Sequence, residues 1–262
     1  MKRNLLLFTF IIINSLSYGQ LVNIENQRIQ NDSIRTITII DLQYNYQNNN
    51  NEELSLVNFS GTHQYKTKNL KNYFLLLGNI DYSLANGEEL SNSGLIHFRY
   101  NRKLNKKLRL EAFTQYQYNK ILGVESRNLI GIGPRYKINK SEKNVLYIGS
   151  LLMQEFEKTS DNIKTMSYQR LSNYFSLSIK NKAKTLEFTA VVYYHPNINL
   201  WKDYRISSQA SLAFNITSKV QFVNSINYGY DSCAPTNVSK KNIVLTNGLK
   251  MYLWYLNRIS NN

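Results

Sequence analysis

Cysteine is nearly missing: Cys233 stands alone in 262 residues. A disulfide needs two thiols, so no internal bridge staples the fold, and a multi-cysteine zinc site is excluded. Proline is scarce at 3, and histidine at 3. Carboxylates are few, 17 against 32 Lys and Arg, for a formal charge of +15. They are also scattered: Asp81, Glu88 and Glu89 lack the spacing of a calcium loop. No glycine-rich phosphate cradle occurs. Beyond the first twenty residues no apolar run approaches the ~20 residues that a membrane-crossing helix needs. The mean hydropathy of −0.41 agrees, but it leaves room for a barrel, in which only alternate strand residues meet lipid.

What the chain has instead is tyrosine, 20 of them, with 11 Phe, a composition that favours strands. The stretch Ser91–Lys137 shows the pattern best. Ile96, Phe98 and Tyr100 point one way, and Leu95, His97, Arg99 and Asn101 the other. After Asn105-Lys106, Leu108, Leu110, Ala112 and Tyr116 share a face against Arg109, Glu111, Gln115 and Gln117. Then Ile130, Ile132 and Tyr136 oppose Arg135, Lys137 and Asn139. Side chains in a strand alternate with period two, so these are long strands with one oily and one wet face. The same holds later: Phe188, Leu212 and Leu249 sit on oily rows.

Strands are expected at 34–46, 53–65, 72–83, 91–104, 107–121, 126–139, 144–158, 166–180, 185–195, 203–216, 219–231 and 242–255. The fold class is therefore all-β, an antiparallel transmembrane up-and-down barrel of about 12 strands, an even number as bacterial single-chain barrels have. Lys66–Lys71, Asn105-Lys106, Lys140–Lys143, Asn181–Lys184 and Thr217-Ser218 should turn on one side, the periplasmic one. The alternate loops, including Leu84–Leu90, should be longer and lie outside. Lysines gathered in turns suit a rim facing anionic headgroups, not a nucleic-acid footprint. Tyrosines near strand ends, Tyr44, Tyr65, Tyr73, Tyr100, Tyr136 and Tyr204 among them, suit aromatic girdles at headgroup depth. Pro134 falls inside a strand, where its missing N–H breaks the ladder, so a bulge helped by Gly131 and Gly133 is expected.

Residues 1–19 read as a signal peptide: Lys2 and Arg3 precede the apolar run Leu5–Ile13, and Ser17-Tyr18-Gly19 offers a cleavage site. Residues 20–33 read as a periplasmic leader and 34–262 as the barrel.

The segments 92–101 (Asn-Ser-Gly-Leu-Ile-His-Phe-Arg-Tyr-Asn), 111–121 (Glu-Ala-Phe-Thr-Gln-Tyr-Gln-Tyr-Asn-Lys-Ile) and 131–137 (Gly-Ile-Gly-Pro-Arg-Tyr-Lys) resemble the bacterial outer-membrane family catalogued as domain of unknown function 481. That family includes proteins described as salt-induced outer-membrane proteins. The resemblance implies a barrel in the cell outer membrane and brings no catalytic residues. It also implies outer-membrane lipid and lipopolysaccharide as surroundings and the barrel-assembly machinery for insertion. Neither a cofactor nor a metal is implied.

The candidate site is the inward charge cluster His97, Arg99, Glu111, Arg135 and Lys137 on three successive strands. One reading is structural, with paired charges filling the interior. The sharper one is an anion-selecting constriction that Arg99→Glu would reverse. The competing functions are an outer-membrane lipid-modifying enzyme and a secreted soluble lipid-binding barrel. For the enzyme, none of His63, His97 and His195 has the serine two residues on that outer-membrane lipid hydrolases carry. A serine distant in sequence could still meet a histidine in space. The soluble barrel would hide the oily rows inside.

Overall fold

The structure, a computed structural model, describes residues 35–49, 52–141, 144–162, 164–183, 185–217 and 220–254. The expected signal peptide and leader lie outside the described residues. Twelve strands run in chain order: β1 (Thr36–Asn49), β2 (Glu52–Lys66), β3 (Asn72–Ala85), β4 (Glu88–Lys103), β5 (Leu108–Asn119), β6 (Val124–Lys140), β7 (Asn144–Thr159), β8 (Met166–Lys180), β9 (Leu186–Pro196), β10 (Tyr204–Asn215), β11 (Val220–Asp231) and β12 (Lys241–Trp254). Each pairs antiparallel with its sequence neighbours, and β1 pairs with β12 to close a barrel. Over the rungs where β1 and β12 pair, closure removes the free edge that lipid cannot hydrogen-bond. The longest strand has 17 residues, roughly 56 Å of chain, ample for a tilted crossing of a ~25 Å apolar band.

The oily rows face out. Ile96 and Leu249 are each 53% exposed, and Leu42, Ile130 and Ile243 more so. Such rows on the outer surface rule out the soluble barrel with a greasy interior. The inward rows hold most of the buried polar and charged groups, together with a buried apolar band. Polar groups do occur on the outer face, but in bonded pairs: Ser150 Oγ donates to Asn173 Oδ1 at 2.7 Å, and Thr38 Oγ1 lies 3.0 Å from His63 Nδ1. Pairing is what keeps such groups tolerable away from water.

The turns at the end where β1 begins are built by one device. In each, an Asn, Ser or Thr side-chain oxygen accepts a backbone N–H two to five residues on. Asn69 takes Lys71, Asn105 takes Lys107 and Leu108, Ser141 takes Asn144, Asn181 takes Thr185 and Leu186, and Thr217 takes Val220. This explains why these turns are rich in short polar residues. At the opposite end the expected long loop at 84–90 is instead a two-residue hairpin. Asn86 and Gly87 both have positive φ, 52° and 78°, the backbone of a type I′ turn, and Asn-Gly is the pair that adopts it most readily. Longer connections at that end join β5 to β6, β7 to β8, β9 to β10 and β11 to β12.

Two further expectations are corrected. Tyr73 is no girdle residue; its ring is buried in the interior and its hydroxyl donates to Gln64 at 3.1 Å. Pro134 makes no bulge. Register between β6 and β7 is the same at Ile132↔Leu152 and Arg135↔Gly149, so the ladder skips Gly133 and Pro134 and resumes. The register shifts of this pair lie elsewhere, between Val124 and Ser126 and between Lys137 and Asn139. At the gap the β7 chain presses close: a Cβ on Gly133 would stand 2.2 Å from the Ser150 carbonyl oxygen.

Candidate functional site

Alternation sends one residue in two inward, and on β4–β11 these make two charged layers with an oily one between. The first layer lies toward the end where β1 begins. Glu111, fully buried, accepts from Tyr174 at 2.6 Å, from Arg99 at 3.3 Å and from Arg135 at 3.4 Å. The Arg135 guanidinium also covers the Tyr147 ring at 3.8 Å, a cation–π contact. Arg99 Nε donates to His97 Nε2 at 3.3 Å, and His97 Nδ1 lies 2.8 Å from Gln115 Oε1. A ring nitrogen that accepts from a guanidinium carries no proton, so the other does: His97 is the neutral Nδ1–H tautomer donating to Gln115. The structure thus unites four of the five expected residues. Lys137 stands two residues beyond Arg135 on the same inward row, opposite Tyr147 in the ladder.

The middle layer is apolar: Phe113, Leu129, Leu151, Met153 and Val191, with the rings of Tyr174 and Tyr193. Two of its rings lie over glycines directly across the ladder, Phe113 over Gly131 and Tyr174 over Gly149, where any Cβ would fall within 2.3 Å of the ring. Glycine opposite an aromatic lets the ring lie flat on the wall.

The second charged layer, nearer the opposite end, had no place in the expected site. Glu155, also fully buried, receives Arg170 Nε at 2.6 Å, Arg127 Nε at 3.2 Å and Arg205 Nη1. Glu157 receives Arg205 Nη2 at 2.8 Å and both Nε and Nη2 of Arg127. Arg170 also grips Asp203 through two bonds, 3.0 and 2.9 Å, pinning the loop between β9 and β10. Arg205 Nε reaches Asp231 at 2.7 Å. Three guanidiniums and four carboxylates thereby lock β6, β7, β8, β10 and β11 together. The signal in the sequence was arginine or glutamate at inward parity in four strands, with Asp231 in a fifth, but only register shows that they meet.

A serine does meet a histidine here. Ser172 Oγ lies 3.2 Å from His195 Nε2. Both face the interior, 4% and 7% exposed, with the Tyr193 ring edge-on to the imidazole and Arg170 and Arg205 nearby. Among the described residues no group of three or more His, Cys, Asp or Glu could hold a metal ion.

The opposite wall is different. The inward residues of β10 and β11 include Ser207, Gln209, Ser225 and Asn227, short, uncharged and half-exposed. Across the barrel seam Asn45 on β1 and Thr246 on β12 are exposed, and Asn58 and Ser60 on β2 are half-exposed. An inward side chain that keeps accessible surface borders space that protein atoms do not fill.

A closed antiparallel barrel with an oily exterior and a polar interior defines a transmembrane β-barrel of the outer-membrane type. Over residues 40–251 the chain matches the family described as "Protein of unknown function, DUF481", and it belongs to that family. No curated protein matches. Among solved structures it is similar in fold to the NanC porin, at 8% identity and a TM-score of 0.50 over 84% of this chain and 100% of that one. The KdgM porin matches at 10% identity and a TM-score of 0.46, covering 82% of this chain and 98% of its own. The translocator domain of the autotransporter NalP from Neisseria meningitidis matches at 10% identity and 0.48, covering 88% and 92%.

Proposed function

We propose that this chain is a non-enzymatic outer-membrane β-barrel that lets small uncharged hydrophilic solutes pass along one wall. The reading rests on the asymmetry of the interior. One wall is filled by buried ion pairs and an oily layer, and the other, past the Arg205–Asp231 pair at one end of β10 and β11, is lined by half-exposed Ser, Gln and Asn side chains. Such groups exchange hydrogen bonds with a hydroxylated solute much as they do with water. The charges most able to select ions are neutralised by partners: Arg99 is 2% exposed and bonded to Glu111. The cluster of His97, Arg99, Glu111 and Arg135 is accordingly a structural brace, and ion selectivity is weak. The Asn- and Lys-rich turns face the periplasm in this reading, with the signal peptide exporting the chain.

The test is reconstitution into planar bilayers. The wild type should conduct with little preference between cation and anion. Asn227→Trp, which fills the open wall, should cut conductance at least by half while the protein keeps its heat-modifiable migration on gels. No conductance above that of the empty bilayer would end the pore reading.

The contact between Ser172 and His195 favours a second reading, a hydrolase. Against it, the pair is buried and turned away from the lipid that a lipid hydrolase would act on.

A further inference from the structure

The barrel closes over a short distance only. β1 and β2 share a ladder along their full length, Thr36↔Tyr65 to Asn49↔Glu52. β1 and β12 share three rungs: Ile37↔Trp254, Thr38↔Leu253 and Ile39↔Tyr252. In the same register Leu42 would face Leu249 and Tyr44 would face Asn247. Among the described residues neither rung is formed. The separated stretch of β1, Ile40–Asn49, is roughly 33 Å of strand. Both faces of the strands carry exposed residues there, although Val244 on the inward row of β12 is buried. Leu42, Tyr44 and Tyr46 are exposed on the lipid side of β1, and so are Asn45 and Gln47 on its inward side. On β12, Ile243 and Leu249 are exposed on the lipid side and Thr246 on the inward side. On β3–β9 the inward rows are mostly covered.

An open strand edge in hydrocarbon is costly, because its N–H and C=O groups have no water to bond. It persists only where a wet lumen reaches it, and the uncharged wall of β10, β11 and β2 brings that lumen to the seam. The opening is thus polar on one side and oily on the other. The last rung, Ile39↔Tyr252, sets the lower limit of the slit, and Lys250 sits near it in the field of Glu187 and Asp41.

We propose that the seam between β1 and β12 is a lateral opening through which a lipid-like amphiphile passes between lumen and membrane. Its uncharged polar head lies among Asn45, Thr246, Ser225 and Asn227, and its acyl chain extends outward past Leu42, Ile243 and Leu249. The proposal rests on the outer-membrane reading given above. It adds a sideways route to the passage along the barrel axis.

The experiment uses full-length protein in lipid vesicles, in a Cys233→Ser background, with a dodecyl maltoside carrying a photoreactive diazirine in its head as the probe. One variant carries Leu42→Cys with Leu249→Cys, and a control carries Thr38→Cys with Leu253→Cys at a formed rung. Under mild oxidation the control should cross-link and the first pair should not. A bis-maleimide linker should join the first pair and shut the opening. Photolysis should then label inward residues such as Asn45 and Thr246 in the open protein, with at least a tenfold loss of that labelling after linking. Labelling of outward residues such as Ile96 and Ile130 should stay constant, which tests the membrane-barrel reading separately. Equal oxidative cross-linking of the two pairs would overturn the proposal. So would inward labelling that is absent from the open protein or unchanged by the linker.

Discussion

Replacing Glu155 by Gln is the sharpest test of what holds this barrel in shape. The carboxylate is fully buried and lies under Arg127, Arg170 and Arg205 at once. Glutamine keeps the volume and removes the charge, so three guanidiniums lose a shared counter-ion where water cannot replace it. Breaking a buried ion pair by removing one partner costs about 3–5 kcal/mol, or roughly a hundred- to several-thousandfold in the folding equilibrium. Glu157, Asp203 and Asp231 remain to hold the arginines, which places the expected loss at the low end, about 3 kcal/mol. The comparison is Glu125→Gln. It breaks the exposed Lys158–Glu125 pair, 2.5 Å apart with side chains 39% and 49% exposed, and should cost about 0–1 kcal/mol. Urea unfolding from lipid vesicles, read as the folded band on an unheated gel, measures both. If Glu155→Gln unfolds at the same urea concentration as Glu125→Gln, the inner network is not what fixes β6, β7, β8 and β10 relative to one another.

Arg99→Glu should set a second carboxylate against Glu111 and destabilise the barrel in the same urea assay; reversed ion selectivity in an intact barrel would show that Arg99 faces the permeant ion. Gly133→Ala should cost about 1–3 kcal/mol, because the new methyl meets the Ser150 carbonyl and Leu151 Cα of the backbone. Gly61→Ala meets nothing within 4 Å and should leave the same unfolding curve in place. A fluorophosphonate probe should leave Ser172 unlabelled; labelling that His195→Ala abolishes would revive the hydrolase.

The strands were readable because a membrane imposes a strict rule on them. A charged side chain on the lipid face costs about 2–4 kcal/mol at mid-depth, so parity stays clean along each strand, and Ile96 and Arg99 declare their faces without a neighbour's help. The turns were less readable. Asn86-Gly87 was swallowed by polar flanks, Glu88 and Glu89, that look like loop but belong to β4. Pro134 was misread because the ladder can drop a rung without changing register, and only the partner strand records the difference. For the site, parity points Arg99, Glu111 and Arg135 inward, but it carries no depth. Depth comes from register, and register is what sets Glu155 and Glu157 beside Arg170 and Arg205 rather than beside Arg99.

The charge of the chain is sorted by residue type, and the sorting bears on passage. Arg99, Arg127, Arg135, Arg170 and Arg205 are buried, whereas Lys66 is the buried lysine among the described residues. Guanidinium is flat, weakly hydrated and offers several donors in one plane, so it can bridge two carboxylates or lie on a ring. Arg205 does the first, with Glu155 and Glu157, and Arg135 the second, on Tyr147. An ammonium is strongly hydrated and favours water, and lysines occupy the turns at 68, 71, 106, 107 and 182. The formal +15 is therefore largely a property of the rims, where salt screens it within about 8–10 Å. In the second inner layer four carboxylates outnumber three guanidiniums. A solute entering along β10 and β11 first passes Arg205 and Asp231, which neutralise each other at 2.7 Å. Beyond that pair it meets mainly hydroxyls and amides, so passage should depend more on size and hydrogen-bonding capacity than on the sign of its charge.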